Sequence, residues 1–314
     1  MDMEVNRALS GVLTLLAIIL CGFVMSKKKL LDLTAEEKIT KIITGISVPC
    51  IMYISARSYI SPAFVKEMGL WLLLPFIFML LAMGFGAASV KALGISRSNR
   101  GVFAAALSQS NVVFVGIPLV TTIYGESAIP FIISYYISNA LIFWTLGVMM
   151  LEADGGGKPS FNVKTVRNLF SPSLISLFLG IIFNFYNISF PAFINEAISM
   201  LGSSVTPFAM LIIGAIISRM GADALKLGRE GAVVLLFRYM LLPAAMFAAC
   251  RLLGADRPMT YVFTISVSLP VMNNVMLIAR QHKANYALAA QLIAVTSVIS
   301  LIFIPLLVLV MPML

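Results

Sequence analysis

Two polar stretches interrupt otherwise apolar parts of the sequence, and both contain or adjoin residues that break helices. The first is Ser-Gln-Ser-Asn at 108–111, ahead of Gly-Ile-Pro at 116–118, and the second spans 266–274 around Pro270. A broken helix leaves N–H and C=O groups without intrahelical partners, and the N–H groups that begin a helix attract anions. Asparagine carboxamides add directional donors. The two stretches therefore predict a binding site for a small anion at two interrupted helices.

We predict that eight residues contribute to this site: Ser108, Asn111, Gly116, Pro118, Arg238, Pro270, Asn273 and Asn274. Serine inside an apolar helix more often hydrogen-bonds a neighbouring helix, whereas the place of Asn111 just before a Gly-x-Pro favours binding. Asn273 and Asn274 point about 100° apart on a helix, so we expect one of them to face the ligand.

Arg238 lies well inside an apolar run, nine residues after Arg229 and about 13 Å along a helix from it. Arginine inside a membrane is costly, which makes it a candidate for function. Its long side chain could instead reach the cytoplasmic headgroups. The sequence leaves both interpretations open.

The apolar runs contain no Asp or Glu, so carboxylate proton relays and carboxylate cages for sodium are not expected at mid-depth. The sequence has no metal-ligand spacing, nucleophile motif or phosphate-binding loop. We therefore expect no metal, no cofactor and no enzymatic activity. An intramembrane enzyme or receptor is disfavoured on these grounds.

The elements that position these residues are membrane-spanning helices. Of the 314 residues, 60% are hydrophobic and 11% charged, against roughly 45–50% and about 25% in soluble domains. This composition predicts an all-α integral membrane protein in contact with the lipid bilayer. Runs of about 20 apolar residues predict ten spans: 8–26, 39–56, 68–90, 101–124, 127–151, 171–187, 197–218, 231–250, 259–279 and 286–311.

The basic residues predict the orientation of these spans. One set of alternate loops holds 16 Lys and Arg residues and the other holds five. Because basic loops stay in the cytoplasm, both termini are expected outside the cell membrane, with the 152–169 linker inside. The basic residues are spread over many loops, so no nucleic-acid partner is expected.

The linker divides the chain into a first repeat at 1–151 and a second at 170–314, each with five spans. An odd number of spans per repeat inverts the second repeat in the membrane. Weak similarities support the repeat: Gly-Ile-Ser-Val-Pro49 corresponds to Gly-Ser-Ser-Val-Thr-Pro207, and spans three and eight, like spans four and nine, each carry a proline.

Span four also carries a family resemblance. Asn111-Val-Val-Phe-Val-Gly-Ile-Pro118 resembles the Asn-x-x-x-hydrophobic-Gly-x-Pro signature of the auxin efflux carrier family, which includes bacterial malate- and malonate-type permeases. Leu174–Asn184, Thr206–Gly214 and the region after Leu269 resemble the family's sixth, seventh, ninth and tenth spans. The likeness covers essentially the full length.

The resemblance implies broken spans four and nine that cross each other, with the substrate at the crossover near Asn111. It also implies a scaffold of spans one, two, six and seven, often dimeric, beside a mobile transport unit. Asn273 and Asn274 differ from the glutamine-glycine of plant auxin exporters, and the 152–169 linker is short, so a bacterial-type carboxylate carrier fits better than an auxin carrier. Two alternatives stay open: a sodium- or proton-coupled symporter of the bile-acid-symporter-like fold, and an anion channel.

Overall fold

The computed structural model describes residues 2–158, 170–219 and 228–313, and these residues are almost entirely helical. The helices are α1 Asp2–Lys27, α2 Leu33–Tyr59, α3 Pro62–Met68, α4 Leu73–Ser89, α5 Arg100–Ser108, α6 Val112–Tyr124, α7 Glu126–Asp154, α8 Pro172–Phe185, α9 Ala192–Arg219, α10 Arg229–Leu252, α11 Arg257–Val267, α12 Asn274–Gln281 and α13 Tyr286–Met313. Within the described residues no β-strand forms, apart from one isolated bridge. Most of the predicted linker, 159–169, lies outside the described part of the chain.

Six of these helices are long and apolar enough to cross a membrane: α1 (from Ser10), α2, α7, α9, α10 and α13. Three shorter apolar helices, α4, α6 and α8, accompany them. The prediction of an all-helical, multi-span membrane protein is confirmed at this level.

Local sequence explains where several helices begin. Asp32, Ser171 and Asp256 accept hydrogen bonds from main-chain N–H groups three residues later, at 2.8, 3.4 and 2.9 Å. Each cap satisfies an N–H group that the first turn leaves without a partner. Proline follows at the first or second helical position in α8 and α11, where its missing N–H costs nothing.

Several interior prolines follow a π-helical turn. The π-turns Ile43–Ser47, Val112–Gly116 and Phe237–Leu241 each end two residues before a proline. Proline removes one N–H and its ring crowds the carbonyl four residues earlier. The wider π-turn accommodates both effects without ending the helix.

The described chain forms two compact units. Unit 1 contains residues 2–72, 113–133 and 170–219, and unit 2 contains residues 73–112, 134–158 and 228–313. The chain passes from unit 2 into unit 1 near the start of α6, and back into unit 2 within α7.

In unit 1, α1 packs along the second part of α9, and α8 packs against the second part of α2. The main chains approach closely at glycines: a methyl group added to Gly22 or Gly214 would overlap a carbonyl of the facing helix, at Leu211 or Ile19. Gly180 of α8 meets the Tyr53 carbonyl of α2 in the same way. Small residues at such positions are what membrane helices need for close contact.

In unit 2, α4 packs on α5 and α10 packs on α11. Residues 101–108 of α5 are all buried, as are most residues of α11 from Met259 onward. A helix that is buried on every side lies in the interior of its unit. The two central helices α5 and α11 are also the ones that stop short, at Ser108 and Val267.

Candidate functional site

The two helix breaks meet inside unit 2. The break between α5 and α6 spans 109–111, and the break between α11 and α12 spans 268–273. Ser110 and Val271 form an antiparallel β-bridge. Beside it, the Asn111 N–H donates to the Pro270 carbonyl at 2.8 Å, and the Met272 N–H donates to the Gln109 carbonyl at 3.4 Å. The two breaks thus satisfy part of each other's main chain, as a membrane interior requires.

Each break is also bound by a polar side chain from a helix later in the chain. The Asn139 carboxamide of α7 accepts from the Ser110 N–H at 2.9 Å and donates to the Ser110 carbonyl at 3.1 Å. Thr296 of α13 accepts from the Val271 N–H at 3.1 Å. Neither residue is among those predicted from the sequence. A polar residue in the middle of an apolar run was the available signal for both.

Arg238 lies at the centre of this arrangement. Its side chain is 0% exposed. The guanidinium donates to six oxygens on or next to the two breaks: Leu269 O from Nε at 2.9 Å, Ala106 O, Leu107 O and Gln109 O from Nη1 at 2.8, 3.3 and 3.0 Å, and Ser110 Oγ and Pro270 O from Nη2 at 2.7 and 3.5 Å. It therefore binds the carbonyls that the ends of α5 and α11 leave without partners, and it does not extend to the headgroups.

Neighbouring aromatic residues fix Arg238. It belongs to the π-turn Phe237–Leu241 of α10. Phe237 stacks on Phe85 of α4 with ring centroids 4.5 Å apart, and the Tyr239 hydroxyl donates to the Thr296 carbonyl. The Tyr135 hydroxyl lies 3.1 Å from Ser110 Oγ, which also accepts from Arg238. Packing on both sides of Arg238 leaves its guanidinium directed at the breaks.

The structure places four of the predicted residues in or beside the breaks. Asn111 and Pro270 are buried within them. Asn273 and Asn274 are half-buried where α12 begins. Among the described residues neither of these two carboxamides has a hydrogen-bond partner. Both stay available to a ligand, and the burial of the two side chains does not distinguish between them.

The other predicted residues are arranged differently. The Ser108 hydroxyl donates to the Ala104 carbonyl at 2.9 Å and accepts from Gln109 Nε2 at 3.1 Å, so it is engaged within its own segment. Gly116 and Pro118 do not form the break in span four, which lies upstream at 109–111; they lie within helix α6, in unit 1. The π-turn before Pro118 explains why the helix continues there.

The electrostatics of the site follow from the helix directions. The α5 and α11 helices end at the breaks, and Arg238 binds their last carbonyls, while α6 and α12 begin at the breaks with N–H groups that carry partial positive charge. Among the described residues, Arg238 bonds to carbonyl and hydroxyl oxygens and to no carboxylate. The region has a net positive charge, which favours an anion. The buried Gln109 Oε1 has no partner among the described residues, and as an acceptor it does not contribute to anion binding.

Comparison with known proteins agrees with this architecture. Residues 8–308 match the family model described as "Membrane transport protein". An uncharacterized transporter of Methanothermobacter thermautotrophicus (strain Delta H) is 22% identical over 302 residues, covering 94% of this chain and 95% of the relative. The family match spans most of the chain and includes both helix breaks. The chain is therefore a multi-pass membrane transporter and not an enzyme, and it belongs to the membrane transport protein family, that of the auxin efflux carriers.

Proposed function

We propose that the protein is a secondary transporter that carries a small organic anion, such as a carboxylate, by alternating access. The observation that carries this proposal is the meeting of two helix breaks around a buried arginine with no carboxylate partner among the described residues. A transporter needs a polar site at mid-depth, and broken helices are the usual way to build one. The sign of the charge selects an anion.

Within this site, Asn111, Asn273 and Asn274 are proposed as direct donors to the anion, with Pro270 shaping the break between α11 and α12. The Arg238 side chain has all its donors directed at oxygens of the protein, so its contribution to an anion is the field of its charge. Contact of Ser108, Gly116 and Pro118 with substrate stays a prediction. For Ser108 it requires the hydroxyl to leave the Ala104 carbonyl.

The helix pairing supports ten spans in two inverted repeats, 1–151 and 170–314. Two of the ten are interrupted spans, α5 with α6 and α11 with α12, which both run 25 residues, from Arg100 to Tyr124 and from Arg257 to Gln281. If spans one to five correspond to spans six to ten, a contact between spans one and seven should be repeated between spans six and two. A contact between spans three and four should likewise be repeated between spans eight and nine. Packing of α1 on α9, α8 on α2, α4 on α5 and α10 on α11 follows this rule.

The grouping of helices supports a division of labour. Unit 1 holds α1, α2, α8 and α9, the proposed scaffold, together with α3, most of α6 and the start of α7. Unit 2 holds both breaks, which makes it the proposed transport unit. A homodimer stays a prediction from the family resemblance.

The proposed orientation puts the loop after α7 in the cytoplasm of the cell and both termini outside. Cysteines introduced at the exposed Lys158 and Met313 test it, in a background without Cys21, Cys50 and Cys250. A membrane-impermeant thiol reagent applied to intact cells is expected to label Met313→Cys, and to label Lys158→Cys only after the membrane is opened. Labelling of both from the same side would exclude the five spans proposed between these two positions, and with them the ten-span arrangement.

The energy source follows from the charge of the substrate. The cell interior is negative, and each charge that crosses 100 mV gains or loses about 2.3 kcal/mol. An anion therefore leaves the cell downhill electrically, and efflux needs no coupling ion. We propose potential-driven export, with sodium- or proton-coupled symport and an anion channel as the alternatives.

Purified protein in liposomes tests the function. A panel of labelled mono- and dicarboxylates is offered at equal pH without sodium, with a potassium–valinomycin potential as the only drive. Saturable transport that follows the potential is expected; transport that ignores it but follows a sodium or pH gradient would favour the symporter, and flux that does not saturate would favour the channel. No flux of any organic anion would contradict the proposal.

Asn111→Ala tests the site in the same assay. We expect a loss of affinity of about tenfold, the scale of one hydrogen bond to a charged group, while Asn195→Ala, on the half-buried face of α9 in unit 1, transports normally. Unchanged affinity in Asn111→Ala would show that this asparagine only joins helices.

A further inference from the structure

The oxygens around Arg238 have the composition of a site for a monovalent cation. Five are main-chain carbonyls and one is the Ser110 hydroxyl. They come from the ends of α5 and α11 and from the two breaks, where a helix leaves its carbonyls unpaired. Transporters use unwound carbonyls and helix C-termini of this kind to hold a coupling ion such as Na⁺.

Here the guanidinium occupies that position. Nε carries one hydrogen and each Nη carries two, and all three nitrogens lie within hydrogen-bond distance of the oxygens. The side chain is fully buried and has no carboxylate partner among the described residues. The cation that these oxygens bind is therefore a side chain of the protein itself.

We infer that Arg238 is a built-in cation that fills a monovalent-cation site at the two helix breaks and replaces a soluble coupling ion. Without a cation, the carbonyls of Ala106, Leu107 and Leu269 would lose the donor that binds them, and the bond from the Met272 N–H to the Gln109 carbonyl would have to hold the breaks without it. With the arginine in place, the breaks are held together whether or not sodium is present. Removal of the side chain should leave a cavity lined by oxygen that accepts a free cation.

The inference explains why the proposed export needs no coupling ion, and in that respect it rests on the proposed function. A covalently attached cation cannot be released on either side of the membrane, so it cannot link transport to an ion gradient. In the proposed mechanism it stays with the breaks in loaded and empty states alike. The structural part of the inference concerns folding and cation binding, and it needs no substrate.

The test is thermal unfolding of the purified protein in detergent, at constant ionic strength, in choline, sodium, potassium and guanidinium chloride at millimolar concentrations. The variants are Arg238→Ala, which opens the cavity, Arg238→Met, which fills it without charge, and Arg238→Lys, which keeps the charge. Wild type is expected to have the same Tm in all salts. In choline, Arg238→Lys should be more stable than Arg238→Met.

Arg238→Ala should have a lowered Tm in choline that rises saturably with guanidinium or sodium by several degrees, while Arg238→Met should show no such rise. If Arg238→Ala is recovered only when guanidinium is present during purification, that result supports the inference equally. Three outcomes would overturn it: a wild-type Tm raised by sodium over choline, an Arg238→Ala protein that no cation stabilises or recovers, or an Arg238→Lys protein no more stable than Arg238→Met.

This experiment separates the two proposals. Because unfolding is measured without substrate, a failure to find any transported anion leaves the cation result unaffected. Conversely, a wild-type Tm that depends on sodium would overturn the inference that Arg238 replaces a coupling ion, and it would not affect the proposal of anion transport.

Discussion

Unit 1 and unit 2 are built from apolar helices of the same kind, but their interiors differ. Of the buried polar and charged residues in the described chain, unit 1 holds three serines, Ser47, Ser55 and Ser218, whereas unit 2 holds 15 residues that include Arg238 and Asn139. Main chains come together at glycines in both units, and unit 2 in addition surrounds its helix breaks with hydrogen bonds. Polarity in the interior is therefore concentrated in the unit that holds the breaks, and unit 2 should be the more sensitive to the loss of a polar side chain.

The largest effect is expected from added volume in unit 1. Gly214→Leu places a side chain against the Ile19 carbonyl of α1, where no side chain can move aside. We expect a loss of about 3 kcal/mol or more in unfolding free energy, at the upper end for overpacking. The measurement is Tm and the yield of monodisperse protein in detergent.

Gly45→Leu is the matched control, because a methyl group at Gly45 meets open space in the same unit. An equal Tm for the two variants would show that unit 1 does not depend on close contact at glycine.

A smaller loss is expected when polarity is removed from unit 2. Asn139→Ala leaves the Ser110 N–H and carbonyl without their side-chain partner, and hydrogen bonds within membranes contribute about 0.6 kcal/mol on average, up to about 1.7. We expect a loss of about 1–3 kcal/mol for the pair, measured by unfolding in mixed detergent. Ser138→Ala controls for it, since the Ser138 hydroxyl donates only within its own helix, to Ser134. Equal stability of the two variants would show that Asn139 does not stabilise the break.

Thr296→Val removes one hydroxyl and keeps the shape of the side chain. The Val271 N–H then loses its acceptor, and we expect a loss of about 0.5–1.5 kcal/mol, the ordinary contribution of one hydrogen bond. Thr264→Val makes the same chemical change at a buried hydroxyl that donates within its own helix to Thr260. The comparison fails if Thr264→Val destabilises the protein as much as Thr296→Val.

The smallest effect on stability is expected at the residues proposed to bind the anion. Asn273→Ala and Asn274→Ala remove half-buried carboxamides that have no partner among the described residues. The unfolding free energy should therefore change by less than about 0.5 kcal/mol, and Tm should change little. Affinity for the anion should fall about tenfold in one of the two variants. A large loss of stability with unchanged affinity would assign these asparagines to packing.

The sequence predicted the apolar segments well because hydrophobic length is a local property. The predicted span 127–151 compares with the observed α7, Glu126–Asp154, and span 286–311 with α13, Tyr286–Met313. The position of the first break was harder to predict from the sequence. Gly116 and Pro118 indicated it, but a π-turn absorbs the proline and the helix stops earlier, at Ser108. π-turns depend on packing, which local sequence does not report.

The partners of the site could not be obtained from the sequence at all. Arg238 was recognised as unusual, but five of its six acceptors are main-chain carbonyls, 31–32 and 129–132 residues away, and any residue can supply a carbonyl. Asn139 and Thr296 lie in apolar helices, where one polar residue has several possible roles. The grouping of 113–133 with unit 1 cuts across the chain order and depends on tertiary contacts.

The distance along the chain between Ser110 and Arg238 has a consequence for synthesis. The first break leaves the ribosome 128 residues before the arginine that binds it, which at about 5–20 residues per second is a delay of roughly 6–25 s. Asn139 emerges early and can bind Ser110 during that interval. The carbonyls of Ala106, Leu107 and Gln109 lack the Arg238 donor until that residue is made. Nascent chains halted before residue 238 should therefore be exposed to membrane proteases and insertion chaperones, and chains halted after Val271 should resist them.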